Sequence, residues 1–303
     1  MFVSGFTIAR NVVKADYPIR EAIYSILPLC DEVVVAVGKS EDNTLEYIRS
    51  FDDPKIRIIE TEWDDSLREG GRVLAVETNK ALAAVNPMAD WCFYIQADEC
   101  LDDRGVDALR KAMQQYCNDD RVEGLLFNYR HFYGSYDYIA DNRSWYRYEI
   151  RVVKNLPGVS SYKDAQGFRI NGRKLNVKKA GAYINHYGWV KNPEDQLKKL
   201  KQARKLWHSD EFIEKEYANT AAFDFSAVDS LKKYEGAHPR VMQARINNKN
   251  WYFEHDISRK NMSLKRRLLY TIEQLTGYRI GEYKNYRLLG ILLVSSSLLP
   301  PIL

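Results

Sequence analysis

The sequence predicts an α/β protein whose mainly parallel sheet carries helices on both faces. Short apolar runs such as residues 32–37 alternate with segments of helical spacing such as residues 17–27. The apolar run 91–96 is too short for a stable helix and ends in the acidic pair Asp98 and Glu99, which is typical of a buried strand. Strands that alternate with helices in this way form parallel sheets covered on both faces.

The alternation covers the first part of the chain and then breaks. Up to residue 129 the predicted strands are 2–9, 32–37, 56–60, 91–96 and 122–129, and the predicted helices are 17–27, 44–51, 67–85 and 104–115. Residues 130–148 are rich in aromatic and charged side chains without a clear period. Beyond them the predicted strands are 149–153 and 180–187, and the predicted helices are 194–208, 210–216, 239–247 and 264–276. We therefore predict one domain over 1–205 and a helical extension over 206–303.

The composition is that of an ordinary globular protein. Of the 303 residues 45% are hydrophobic and 28% charged, and a net charge of +4 is too small to indicate a nucleic-acid partner. The four cysteines have no CxxC spacing, and the N-terminus lacks the features of a secretory signal. We expect reduced thiols and a cytoplasmic protein that does not bind nucleic acid.

The last sixteen residues, 288–303, form an apolar tail that is too short to span a bilayer and contains a double proline. A basic cluster lies upstream of it, formed by Lys260, Lys265, Arg266 and Arg267. The tail and the cluster together could contact the inner face of a membrane peripherally. A tail that packs on the protein is the favoured alternative.

Three of the predicted strands end at the edge where ligands bind in open parallel sheets. The residues at these ends are Ala9, Arg10 and Asn11 for the first strand, Gly38 for the second, and Gln96, Ala97 and Asp98 for the fourth. The chain has neither a GxGxxG turn after the first strand nor a GxxxxGK[ST] phosphate loop. Hydride transfer and P-loop phosphoryl transfer are therefore disfavoured.

These residues resemble a known family. A turn of the form Ser-x-Asp-x-Thr, a helix that carries Arg72 and Asn79, and a strand that ends in Ala-Asp-Glu resemble the family 2 glycosyltransferases of the GT-A fold over roughly residues 1–205. The turn consists of Ser40, Asp42 and Thr44. The resemblance implies a nucleotide-diphosphate sugar donor, with Arg72 and Asn79 on the diphosphate and ribose side. Gln96 stands at the first position of the family's Asp-x-Asp motif, where its amide can hydrogen-bond a ribose or sugar hydroxyl.

A departing nucleoside diphosphate must be neutralised by a divalent cation or by Arg and Lys side chains. Hard oxygen ligands suit Mg²⁺ or Mn²⁺. The resemblance implies Asp98 as one metal ligand and His186 as a second, and an imidazole ligand favours Mn²⁺.

An inverting sugar transfer also needs a base that takes the proton of the acceptor hydroxyl. Asp164 is the first candidate, because it lies in the loop where similar enzymes carry this carboxylate. Glu149 is the second candidate.

The aromatic segment 130–147 would form the wall that holds the acceptor, a glycan or a lipid-linked molecule. Tyr133 and Trp145 offer faces that pack on sugar rings, and Arg143 can reach hydroxyls or acidic groups. The same cluster equally suits a protein-binding patch.

The function predicted from these residues is an inverting, metal-dependent glycosyltransferase of surface-glycan synthesis. Two alternatives stay open at this point. One is a nucleotidyltransferase, which shares the sheet and the metal chemistry. The other is a catalytically degenerate GT-A domain that serves as a scaffold or carbohydrate-binding module, because Gln96 breaks the carboxylate pair.

Overall fold

A curled sheet of eleven strands lies at the centre of the protein, and a computed structural model describes residues 1–290. A separate three-stranded sheet joins β9, β10 and β11. The strands are β1 Val3–Ala9, β2 Glu32–Gly38, β3 Ile56–Thr61, β4 Trp91–Tyr94, β5 Glu99–Leu101, β6 Gly124–Tyr133, β7 Ser135–Ala140, β8 Tyr148–Lys154, β9 Val159–Tyr162, β10 Gly167–Ile170, β11 Arg173–Lys174, β12 Asn176–Trp189, β13 Leu231–Lys233 and β14 Arg287–Leu288.

Helices pack on both faces of the large sheet. They are α1 Ile19–Ile26, α2 Thr44–Arg49, α3 Arg72–Ala83, α4 Val106–Tyr116, α5 Pro193–Arg204, α6 Asp210–Glu216, α7 Gln243–Asn247 and α8 Leu264–Thr276. The predicted α/β class with a mixed sheet is confirmed.

The parallel part of the sheet consists of β3, β2, β1 and β4 in that order. Its strands are buried on both faces because successive side chains point to opposite sides. Val33 and Val35 pack in the core that includes Ile23 of α1, while Val34 and Ala36 pack in the core on the other face, which includes residues of α3.

The remaining strands are mixed in direction. β8 pairs antiparallel with β4 and β6, whereas β12 runs parallel to β6 and antiparallel to β5. This arrangement places the ends of β4 and β12 side by side, because Glu99 of β5 pairs with His186 of β12. The short strand β5 was not predicted from the sequence.

The predicted helix 67–85 begins later than expected, at Arg72. Gly70 and Gly71 both have positive φ angles, 59° and 68°, which a right-handed helix does not allow. The helix therefore starts after this pair, and residues 62–68 are free to form a loop at the sheet edge.

Other boundaries also differ from the predictions. The aromatic segment after residue 129 is not irregular, because β6 continues to Tyr133 and turns at Gly134 (φ 72°) into β7. The predicted strand 91–96 ends at Tyr94, and the predicted strand 180–187 is the middle of the fourteen-residue β12.

The part of the chain after residue 205 is only partly helical. The predicted helix 264–276 is confirmed as α8, but β13 pairs with β7 and β14 pairs with β12, so both join the large sheet. The predicted domain boundary at residue 205 stays a prediction.

The apolar tail 288–303 falls mostly outside the described residues, which end at 290. None of the helices within residues 1–290 has both the length and the apolar character needed to cross a bilayer.

Candidate functional site

A cavity of about 790 Å³ opens where the carboxyl ends of β1 and β4 meet. Its wall combines cationic, acidic and aromatic side chains. The cationic ones are Arg10, Lys14, Arg68, Lys198, Lys201 and Lys205; the acidic ones are Glu41, Asp65, Asp98, Asp164 and Asp210; and the aromatic ones are Tyr17, Trp63, Tyr94, Tyr146 and Trp207. A pocket of this size and polarity is suited to a small charged ligand.

The loop after β1 is fixed to the loop after β2 by side chains of the Ser-x-Asp-x-Thr turn. The backbone N–H groups of Asn11 and Val12 donate to the hydroxyls of Ser40 (3.1 Å) and Thr44 (2.9 Å). Asn11 has a positive φ of 53°, and its side-chain oxygen accepts from the backbone N–H of Glu41 at 2.7 Å. The turn thus fixes the loop that lines the cavity, while Ser40, Asp42 and Thr44 themselves are not among the lining residues.

Several cavity residues are not among those predicted from the sequence. Trp63, Asp65 and Arg68 lie in the loop before α3 that had been predicted to be partly helical. Lys198 and Lys201 lie on α5. The lysine-rich pattern of residues 198–205 was the available signal, because Lys198, Lys201 and Lys205 share one helix face, where their charges repel and an anionic ligand would relieve the repulsion.

The acidic pair after β4 divides between the cavity and the interior. Asp98 lines the cavity with its side chain 15% exposed, as predicted for a carboxylate at the sheet edge. Glu99 is fully buried and binds the equally buried Arg151 through two hydrogen bonds of 2.8 and 2.9 Å. The hydroxyl of Tyr129 donates to the same carboxylate at 2.8 Å, so Glu99 is a structural residue.

Asp98 is held by a lysine and faces a histidine. The Lys199 ammonium donates to Oδ2 of Asp98 at 2.9 Å, and Nε2 of His186 lies 3.6 Å from the same oxygen. Burial alone would raise the pKa of Asp98, but the charge of the Lys199 ammonium outweighs it and holds this pKa well below its usual range. A Cβ atom on Gly188 would lie 2.6 Å from this oxygen, so only glycine fits there.

A chain of hydrogen bonds orients His186. Nε2 of His131 lies 2.8 Å from the carbonyl oxygen of Tyr146, which can only accept, so this nitrogen carries the proton. Burial lowers the pKa of His131 well below its usual range, and its unprotonated Nδ1 therefore accepts from Nδ1 of His186 at 3.3 Å. The lone pair on Nε2 of His186 then faces Asp98.

This pair of donors fits a hard divalent cation. In proteins Mg²⁺ is commonly held by one or two carboxylates together with substrate phosphates, and a metal-bound histidine usually has its second nitrogen fixed by a neighbour. Asp98 and His186 satisfy both conditions. Residues 1–290 contain no set of three or more His, Cys, Asp or Glu side chains arranged around one point, so further ligands would come from the bound molecule.

Asp164 lies in a strained turn on the cavity wall. Its neighbours Lys163 and Ala165 both have positive φ angles, 54° and 59°, which non-glycine residues rarely adopt. Its Oδ1 atom is buried and accepts no hydrogen bond from any residue that the structure describes. Strain of this kind is found at functional sites, where the surrounding structure maintains it.

Gln96 helps to maintain this turn. Its amide nitrogen donates to the carbonyl oxygen of Ala165 at 3.3 Å. An ionised carboxylate at this position could not donate this hydrogen bond. The bond is therefore a structural reason for an amide at position 96.

Glu149, the second candidate base, lies outside the cavity. It is 5% exposed, and burial raises its pKa to about 8. It is therefore largely neutral at pH 7, and it is not among the residues that line the cavity.

Four predicted donor-binding residues also lie away from the cavity wall. Ala9 is buried in the core, and Gly38 is covered by the indole of Trp63. Arg72 is exposed at the start of α3, and the side-chain oxygen of Asn79 accepts from the backbone N–H of Ser161 at 2.6 Å. By contrast, Arg10, Asn11, Gln96 and Ala97 line the cavity as predicted.

The predicted acceptor residues make packing and ionic contacts. Tyr133 is buried and stacks on Trp189, and Trp145 contacts both rings. Arg143 is paired with Glu273 of α8 at 2.9 Å. None of the three lines the cavity described above, and their acceptor role stays a prediction.

Comparison with known proteins finds only remote similarity. No protein-family model matches the sequence, and no curated protein matches it significantly. Among solved structures, S. aureus TarS is 15% identical with a TM-score of 0.39 over 67% of this chain. This chain spans 39% of that TarS chain.

Two further solved structures are similar at the same level. S. aureus TarS 1-349 in complex with UDP is 13% identical over 73% of both chains, with a TM-score of 0.38. Glucosyl-3-phosphoglycerate synthase from Mycobacterium tuberculosis, in complex with Mn²⁺, UDP and glucosyl-3-phosphoglycerate, is 20% identical over 44% of this chain and 45% of its own, with a TM-score of 0.28. Similarity this remote assigns neither a family nor an activity.

Proposed function

We propose that this protein is a glycosyltransferase that moves a sugar from a nucleotide-diphosphate donor to a hydroxyl acceptor. The proposal is carried by one observation: a single cavity is lined by cationic side chains, by the Asp98 carboxylate with His186 behind it, and by the Asp164 carboxylate. These are the groups that sugar transfer needs, namely charge for the leaving diphosphate and a base for the acceptor.

The donor would bind with its diphosphate toward the cationic part of the wall. Arg10, Arg68, Lys198 and Lys201 carry positive charge there, and the first three are paired with Asp65, Asp210 and Asp195 in the ligand-free protein. A divalent ion held by Asp98 and His186 would add positive charge at the same diphosphate. The Trp63 indole offers an aromatic face in the cavity against which a base can stack.

The acceptor hydroxyl would be activated by Asp164. The Asp164 carboxylate, which lines the cavity, can accept the hydroxyl proton as the acceptor oxygen attacks the anomeric carbon and the diphosphate leaves from the opposite side. A single displacement of this kind inverts the configuration of the sugar. Gln96 acts indirectly, because it holds the turn on which Asp164 lies.

The broader setting stays a prediction. It comprises a role in surface-glycan synthesis, a glycan or lipid-linked acceptor, and a cytoplasmic site with peripheral membrane contact through the tail.

A thermal-shift screen with UDP-, GDP- and CMP-sugars, each with and without Mn²⁺, tests the proposal. A ligand at about one hundred times its dissociation constant stabilises the native state by about 2.7 kcal/mol, which is readily measured as a higher melting temperature. We expect at least one diphosphate donor to raise the melting temperature, and the CMP-sugar, with one phosphate fewer, to do so less.

A protein whose melting temperature responds to none of these nucleotides would contradict the proposal. A response to UDP or GDP that disappears when Arg10 and Lys201 are both replaced by methionine would place the binding in this cavity.

A further inference from the structure

Lys199 is a buried lysine at the centre of the candidate site. It lies in the middle of α5, and its side chain is 9% exposed. Its ammonium group donates to Oδ2 of Asp98 at 2.9 Å and to the carbonyl oxygen of Gly188 at 2.7 Å, and it lies 4.5 Å from the ring centre of Tyr17. Two of its N–H groups therefore have acceptors, and the ring of Tyr17 lies beside the ammonium group.

A buried ammonium needs a counter-charge, because an isolated charge is costly to remove from water. Asp98 is the carboxylate that Lys199 contacts. The two side chains therefore form a neutral pair that is stable before any ligand binds.

The same oxygen is the one that faces His186. A divalent cation placed between Asp98 and His186 would share Oδ2 of Asp98 with the Lys199 ammonium group. Two cations that contact the same oxygen in a buried site repel each other strongly. Without a nucleotide, the protein offers such an ion two ligands and one competing positive charge.

We propose that the Lys199 ammonium is the cation that neutralises Asp98 before any ligand binds. A divalent ion can bind at Asp98 and His186 only in competition with this lysine. The donor-free protein then binds Mn²⁺ weakly. The diphosphate of a nucleotide supplies additional oxygen ligands and negative charge, so metal and nucleotide bind together. This last step rests on the proposed function, whereas the competition between Lys199 and the ion does not.

Titration of Mn²⁺ into the nucleotide-free protein, followed by the electron paramagnetic resonance signal of free Mn²⁺, tests the competition. We expect Lys199→Met to lower the dissociation constant for Mn²⁺ by about tenfold or more relative to the natural protein. Lys191→Met is the matched control, because Lys191 is equally buried but pairs with Asp16 instead of Asp98. It should leave Mn²⁺ binding unchanged.

If Lys199→Met does not fold, Lys199→Gln serves as a second variant, because it removes the charge and keeps a hydrogen-bond donor. If both charge-removing variants bind Mn²⁺ no more tightly than the natural protein, or if Lys191→Met tightens binding equally, the proposal is wrong.

The natural protein gives an independent readout. We expect UDP to lower its dissociation constant for Mn²⁺ by about tenfold or more. Tight Mn²⁺ binding to the natural protein without any nucleotide would overturn the role of Lys199. If the Lys199 variants bind Mn²⁺ more tightly but the protein binds no nucleotide, the proposed function is wrong and the role of Lys199 is unaffected.

Discussion

Replacing Asp164 by asparagine is expected to reduce the rate of sugar transfer by about 100- to 10,000-fold, the usual contribution of a general base. Asparagine preserves the size of the side chain and its contacts with the turn, but it cannot take a proton at this position. The loss should therefore appear in kcat, with little change in the KM for the donor. The measurement is steady-state transfer with the donor that the thermal-shift screen identifies.

The comparison with Glu149→Gln distinguishes the two carboxylates that the sequence offered as bases. Glu149 is buried and lies outside the cavity, so its replacement should cost far less activity. A larger loss in Glu149→Gln than in Asp164→Asn would reverse the assignment of the base.

Replacing Arg151 by methionine is expected to lower the free energy of unfolding by about 3 to 5 kcal/mol. Arg151 and Glu99 are both fully buried, and the variant leaves the carboxylate of Glu99 without its counter-charge. Burial alone would lower the pKa of Arg151, but Glu99 outweighs it and raises this pKa well above the usual range, so the guanidinium stays charged. Urea unfolding at neutral pH measures the change.

The chain offers a matched control for this ion pair. Arg121 binds Asp119 with the same two-point geometry, at 2.7 and 2.8 Å, but it is 62% exposed. Arg121→Met should cost less than about 1 kcal/mol. The double variant Glu99→Gln/Arg151→Met should be more stable than Arg151→Met alone, and an equal or greater loss of stability would show that the buried charge is not the cause.

Local patterns predicted the parallel strands β1 to β4 well. The β-branched run that forms β2 and the helical spacing of isoleucines in α1 both depend on neighbouring residues, which a sequence displays directly. The carboxyl ends of β1 and β4 follow from the same patterns. Arg10, Asn11 and Asp98 were therefore predicted at the cavity on the strength of the fold class alone.

Residues that reach the site from distant parts of the chain could not be predicted in this way. Lys199 contacts Asp98 across 101 positions of sequence, and its partner depends on the angle at which α5 leaves β12. A buried lysine in a lysine-rich helix looks the same in the sequence as its exposed neighbour Lys198.

Side chains whose chemistry suits both packing and binding were also difficult to assign from the sequence. Tyr133 and Arg143 suit an acceptor wall by their chemistry, yet they pack the β6–β7 hairpin against the C-terminal segment. Their contacts involve residues beyond position 188, so only the tertiary structure distinguishes packing from binding.

In the proposed reaction, the negative charge of the departing nucleoside diphosphate is neutralised beside Asp98. Release of nucleoside diphosphate from a sugar donor, followed with Mn²⁺ in the natural protein and in Asp98→Asn, measures this step without any knowledge of the acceptor. We predict slow release in the natural protein and a loss of about 100-fold or more in the variant, comparable to the removal of other groups that stabilise developing charge. Equal release by both proteins, or no release from any nucleotide sugar, would contradict the claim.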